Sequence, residues 1–370
     1  MKYWRGYLAS IIFVLISSAL DSFASANEKL VDMIYPYISK SLVSSLAEWS
    51  SGASFCVWNV IVMVLVVLLL VSIIMAFLLR WNVIQLGGWV LACITCLSLF
   101  NYVLFGMNEH AGALADDIRL DVVEYNITEL NEATVYFRDQ AQALSEKIPR
   151  DGKGNPKYAS FDKLAVQAGE GFRVLTYEEA ISVFSGSTAP VKKKDLSGGT
   201  LSKTLPLTGE CLVDPDAPDV AMPFIMCAEM ARRMSIYQKE DAKFAAFLAC
   251  QANPDEQFQY TAYCMAYYLC RDALSKNPTS TAKTCLKELD AGTSKQLLKD
   301  LRLCQATYGD ISGSSKSPDA ADLLTSWYVQ KFITPLHVEE EKPFDPLDST
   351  QVDIEYQAPT PTPLPEKKED

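Results

Sequence analysis

Apolar positions along the 370-residue chain follow three different patterns. The first is continuous. Leu8 to Ile16 form a short apolar run behind Lys2 and Arg5, and 57–79 and 83–105 form two runs of 23 residues each. A helix of about 20 apolar residues crosses roughly 30 Å of hydrocarbon, so both long runs predict transmembrane helices and the first run is short for a stable span. Only Arg80, Trp81 and Asn82 lie between the long runs, which predicts a tight helical hairpin over 57–105. The second pattern is periodic. Leu30, Ile34, Ile38, Leu42, Leu46 and Trp49 recur every three or four residues, predicting an amphipathic exported helix over 27–54 that Pro36 kinks or interrupts. Its stripe fits the outer-leaflet interface or a partner helix, and equally an ordinary helix covered by a soluble domain. The third pattern is mixed. Apolar residues at helical spacing from Leu114 to Ile148 predict a helical segment over 108–184 that extends the second span outward, with shorter helices at 161–168 and 177–184.

Residues 185–210 read as a flexible linker, with four glycines, two prolines and the run Lys192-Lys193-Lys194. The lysines read as a solvated loop, over a contact with acidic lipid. Beyond it, helix punctuation resumes. Asn253-Pro254-Asp255 and Ser317-Pro318-Asp319 place a cap, a first-turn proline and an acid at helix starts. Five helices are predicted over 223–251, 254–276, 280–291, 294–308 and 318–333. Residues 335–370 read as an acidic, proline-rich disordered tail, which from Glu339 onward carries ten acids and three bases.

Composition sharpens this picture. A net charge of −12, from 33 basic and 45 acidic residues, argues against nucleic acid as a partner. Two histidines, His110 and His337, leave little for His-paired nucleophiles or His-rich metal sites, and no cofactor, metal or catalytic residue is assigned. The N-terminus ends its apolar run in Ala24-Ser25-Ala26, small residues that predict a cleavable signal cut after Ala26. Arg80 then marks the cytoplasmic side, returning everything after about residue 107 to the exported side.

Seven of the ten cysteines lie between 211 and 304, and the other three, Cys56, Cys93 and Cys96, lie in or beside the spans. In an oxidising compartment the seven predict structural bridges across a Cys-rich helical domain at 211–334. A helical hairpin turning near Gly292 favours Cys285 with Cys304, and a turn near Asn253 allows Cys227 with Cys270. Cys250 and Cys264 are further candidates, and Cys211, at the linker edge, is the expected odd thiol. The fold class expected is mainly α: a cleavable signal, a two-helix transmembrane hairpin and a helical, disulfide-stapled exported domain.

Three other features carry candidate chemistry. Cys93-Ile-Thr-Cys96 sets two thiols on one helical face, as membrane thiol-disulfide enzymes do, although at mid-span small-residue packing fits better. Asp214, Asp216 and Asp219 offer oxygen ligands but lack the glycine and bidentate glutamate of a calcium loop. Carboxylates are plentiful enough for an exported hydrolase, yet nothing in the sequence pairs them.

In layout, residues 1–107 resemble a conjugative pilin of type IV secretion systems: a cleavable signal, an exported helix, a span, a short turn with Arg80, and a returning span with Gly87 and Gly88. Such pilins end soon after the second span, whereas over 260 residues follow here. The resemblance therefore implies a membrane-anchored accessory subunit of a conjugation or secretion apparatus. The function expected is a scaffold in a bacterial inner membrane, with its N-terminus and large C-terminal region in the periplasm. It would act through contacts with the membrane and other envelope proteins, with self-association through the hairpin or the odd cysteine. The alternatives are an oxidoreductase using Cys93 and Cys96 and an exported carboxylate hydrolase.

Overall fold

The computed structural model describes residues 4–78, 82–122, 124–196, 200–307 and 317–334; Lys2, Arg80, Trp81 and the acidic tail lie outside the described residues. Four long helices come first: α1 (Arg5–Ala26), α2 (Glu28–Ser51), α3 (Val57–Leu78) and α4 (Val83–Leu104). Three of them, α1, α3 and α4, are long and apolar enough to cross a membrane. The chain is thus a membrane-associated, mainly helical protein.

The segment expected as a cleavable signal is a full-length helix with a partner. α4 packs chiefly along α1 and much less on α3, so the expected two-helix hairpin is not the main membrane contact. A Cβ on Gly6 would stand 2.3 Å from the Gly88 carbonyl carbon, so these glycines let the two backbones touch. Further along, Thr95 donates to Ser10 at 3.3 Å and the Tyr102 hydroxyl donates to Asp21 at 2.9 Å. Contacts that advance together along both helices make α1 and α4 parallel. Ala26 closes α1, and only Asn27 separates it from α2, which retains Pro36 inside the helix.

The described residues beyond α4 form one helical body around one main core. After α4 the chain does not extend the span outward. It makes a short 3-10 turn at 106–110 and the four-residue α5 (Leu114–Asp117), then Arg119 takes a φ of 57° and turns it away. α6 (Ile127–Ser145) begins at Asn126, whose side chain accepts from the Glu129 amide while Glu129 caps Asn126 in return. α7 (Phe161–Tyr177) follows, and the expected helix at 177–184 is only a turn at Ser182–Phe184.

The expected linker is instead built into the fold. Its described part contains β1 (Lys192–Lys193) and β2 (Ser202–Leu205), which flank β3 (Glu210–Val213) in the order β1-β3-β2. β1 runs parallel to β3 and β2 antiparallel to it, with Thr204 opposite Cys211. Glycines and lysines hid these strands because two to four residues are too few for a period-2 pattern to register.

Where one helix was expected over 223–251, the structure has α8 (Met222–Arg233) and α9 (Lys239–Ala252). Ser235 takes a φ of 73°, its amide bonds the Arg232 carbonyl and the Ile236 amide bonds the Ala231 carbonyl. That is the left-handed helix stop usually built on glycine, here carrying serine, so no glycine announced it. α10 (Glu256–Lys276), α11 (Ser280–Gly292), α12 (Lys295–Thr307) and α13 (Ala320–Tyr328) complete the body. α10 is its centre, touching α6, α9, α11, α12 and α13, with Phe258, Tyr260 and Tyr267 fully buried. Tyr260 donates to Asp300 of α12, and Arg150 pairs with the same buried carboxylate at 3.0 Å.

Among the described residues no disulfide joins any of the cysteines, so the expected bridges are not found. α11 and α12 do not lie side by side as a hairpin; each packs on α10, which takes Cys285 away from Cys304. Cys227 meets Cys250 across the α8–α9 contact rather than Cys270, whose thiol hydrogen-bonds Thr325 of α13. Cys264 and Cys304 are neighbours between α10 and α12. Cys211 is fully buried in β3 and donates to the Glu229 carbonyl at 3.2 Å, so the expected odd thiol is a core residue.

Candidate functional site

The feature that links the membrane helices to the helical body is the elbow between α2 and α3. The first amides of any helix have no acceptor within it, and at a membrane surface they are costly to leave bare. In α3 the acceptor comes from 150 residues away in sequence. Glu210, the first residue of β3, accepts from the Val57 amide at 2.7 Å and the Trp58 amide at 2.9 Å. Its carboxylate also takes the Lys192 ammonium at 2.8 Å and the Thr208 hydroxyl at 2.9 Å, and its side chain is fully buried. Burial works to raise its pKa, but the Lys192 ammonium, the Trp58 and Val57 amides and the Thr208 hydroxyl outweigh it and hold the carboxyl below its ordinary range. Glu210 therefore stays charged and sits where the helix dipole favours an anion.

Lys192 secures the other side of the elbow. Besides Glu210 it donates to the Ser50 and Phe55 carbonyls, both at 2.8 Å, closing the end of α2 and the loop that follows it. Lys194 donates to Asn59 on α3 at 2.7 Å. Two of the three lysines read as solvated are thus docked on the elbow, and the alternation of a strand explains why Lys193 between them stays exposed.

α2 is seated on the same sheet. The turn between β2 and β3 places Gly209 at a φ of 66°, where a Cβ would stand 2.3 Å from the Ala47 nitrogen and 2.5 Å from the Val43 carbonyl oxygen. Only glycine fits both the backbone and the space. The Ser187 amide donates to Ser44 at 2.9 Å and the Ser187 hydroxyl donates to Glu48, while Lys40 donates to the Ser182 and Val183 carbonyls at 3.1 Å. The buried face of α2 is therefore Val31, Ser39, Lys40, Val43, Ala47 and Ser50. Its apolar stripe faces the other way, with Ile38 51% and Trp49 67% exposed.

The residues singled out from sequence fall elsewhere. Cys93 and Cys96 are both exposed on α4, off the face that meets α1. Asp214 accepts from the Leu196 and Asp216 amides, which makes it a turn-former, and among the described residues no three His, Cys, Asp or Glu side chains are placed to hold a metal ion. Glu210, Lys192 and Gly209 were missed because nothing local marks them. The one available signal was an acid and a glycine side by side just before the buried strand Cys211-Leu212-Val213.

Comparisons with known proteins give one match. A family profile described as a protein of unknown function (DUF3810) covers residues 31–317, from the first turn of α2 to the start of the segment that carries α13. No curated protein and no solved structure matches the chain, and the match lends no support to a pilin-like reading of residues 1–107. Since the profile spans more than three quarters of the chain, including the whole elbow and the sheet that clamps it, the protein belongs to the DUF3810 family.

Proposed function

We propose that the protein is a membrane-anchored scaffold of the cell envelope that holds its helical body in fixed register with its transmembrane helices and works by protein–protein contact. The observation that carries this reading is the Glu210–Lys192 clamp on the first amides of α3. A flexible tether would need no buried ion pair, and a free-standing enzyme domain would not spend one on the first turn of a membrane helix. The outward stripe of α2 supports the same arrangement, since Trp49 and its apolar neighbours are suited to the lipid interface beside the elbow.

In this reading the body lies on the exported face of a bacterial inner membrane. Parallel packing puts the N-termini of α1 and α4 on one side, and Arg5 stands at the first of these. Lys2 and Arg80 add to that side in the sequence, as cytoplasmic loops do. α1 is retained as a third span: Ala24 is fully buried and the run to Ala26 is helical, whereas cleavage requires an opened chain. Conjugation or type IV secretion remains the class of machine that the hairpin layout suggests. The test is a purification of the full chain from native membranes, with N-terminal sequencing and labelling by a membrane-impermeant thiol reagent. An intact N-terminus, an exported body and a stoichiometric envelope complex are expected. A body accessible only from the cytoplasm, or a chain that purifies alone, overturns the reading.

A further inference from the structure

Apart from the elbow, the first turns of α2, the segment leaving α4 and the link from α8 to α9 line a small cavity that is partly open to solvent. Three residues on its wall carry polar atoms with no hydrogen-bond partner among the described residues: Asn108 Oδ1, Ser235 Oγ and Asp241 Oδ1. Each residue is more than nine-tenths buried. Native folds leave only a few such atoms per hundred residues, and three gathered on the wall of one space call for a partner there. Ser235 is also the residue held at a φ of 73° in the helix stop, a conformation a serine pays for and a binding site can exploit.

The chemistry of that partner follows from the wall. All three atoms can accept a hydrogen bond. The charged groups are Asp32 and Lys40 on α2, Asp117 on α5 and Asp241 on α9. Lys40 already donates to Ser182, Val183 and Ser185, so its three N–H groups are committed. What remains is an acidic space with three acceptors. We infer that this cavity binds a primary ammonium group, whose three N–H donors match Asn108, Ser235 and Asp241. Asn108 lies four residues beyond the end of α4, so the ammonium can come from a free small amine or from the ethanolamine headgroup of a lipid.

Binding is linked to protonation. Burial pushes the Asp241 carboxyl up to about 6 against the Leu114 amide and the Ser317 hydroxyl, and Asp117 and Glu240 add to the rise. Glu240 is itself paired with Lys243 at 2.8 Å. An ammonium requires the carboxylate form, so its affinity falls towards tenfold per pH unit below about 6.

The test uses the full chain, first in detergent and then in nanodiscs, with the thermal unfolding midpoint as readout. Methylammonium chloride is titrated against tetramethylammonium chloride at equal ionic strength, because the latter has no N–H to donate. In nanodiscs, phosphatidylethanolamine is compared with phosphatidylcholine on the same grounds. A saturable rise with methylammonium alone assigns a free amine, a rise with the ethanolamine lipid alone assigns a headgroup, and either supports the site. Asp241→Asn weakens the effect at least tenfold, and Ser235→Ala, which removes an unpartnered hydroxyl from a residue whose fold it does not support, weakens it several-fold. Equal responses to the N–H and N-methyl probes, or no response in either arm, mean salt or water alone and overturn the inference. Neither outcome touches the elbow, so the scaffold reading stands or falls separately.

Discussion

Glu210 and Asp241 are both buried carboxylates within the same body, and they are built in opposite ways. Glu210 has both oxygens filled, by two amides, an ammonium and a hydroxyl, and its pKa is held down. Asp241 has one oxygen filled, by the Leu114 amide and the Ser317 hydroxyl, and the other without a donor among the described residues, and its pKa is pushed up to about 6. Burial is common to both. What differs is the number of donors, which decides whether a buried acid locks a structure or stays available for a proton or a ligand.

The sharpest break in that comparison is Glu210→Ala. It strands Lys192 and bares the α3 amides, so unfolding of the purified chain should show a loss of about 3–5 kcal/mol. Glu210→Ala combined with Lys192→Met should recover part of it. Gly209→Ala leaves every Glu210 donor in place but drives a methyl into α2, and a loss of about 3 kcal/mol is expected, with faster proteolysis near Gly52 as the local readout. If Gly209→Ala is silent, α2 is not seated on the hairpin.

The two acids also predict opposite responses to pH. Glu210 is lower in the folded state, so its stabilisation is present above about 4.5 and is lost as pH falls through its depressed folded value. Asp241 is higher in the folded state than its ordinary 3.8, so stability falls as pH rises from about 4 to 6, and the cost is complete above that. Asp241→Asn should therefore stabilise the chain by about 3 kcal/mol at pH 7.5 and by much less near pH 4, read from denaturant unfolding across a pH series. The smallest effect belongs to Ser235→Gly, which suits a φ of 73° and should stabilise the helix stop by about 0.5–1 kcal/mol.

Local rules carried the reading a certain distance. Continuous hydropathy located α3 and α4, and proline and cap residues located α10 and α13, because those signals act within one turn of chain. The stripe of α2 was legible as a helix, yet it pointed to the wrong contact: the body takes the small and polar face, Ser39, Val43 and Ala47, and leaves the large apolar residues outward. Close packing selects for small side chains, which hydrophobic periodicity does not count. Gly6 and Ser10 add nothing apolar to the short run from Leu8 to Ile16, yet they are the contact of α1 with α4. The clamp was not legible at all. Lys192 and Glu210 meet only because β1 pairs with β3, and their target at Val57 and Trp58 lies far away in sequence.

The account's central claim is that the sheet is fixed to the start of α3. Asn59 and Lys194 touch across that joint at 2.7 Å, so the full chain carrying Asn59→Cys and Lys194→Cys can be treated in native membranes with a short bis-maleimide and mapped by mass spectrometry. The account predicts a 59–194 cross-link in most molecules, reduced when Glu210→Ala is added. Recovery of both thiols singly modified and unlinked, with Glu210 intact, would contradict it.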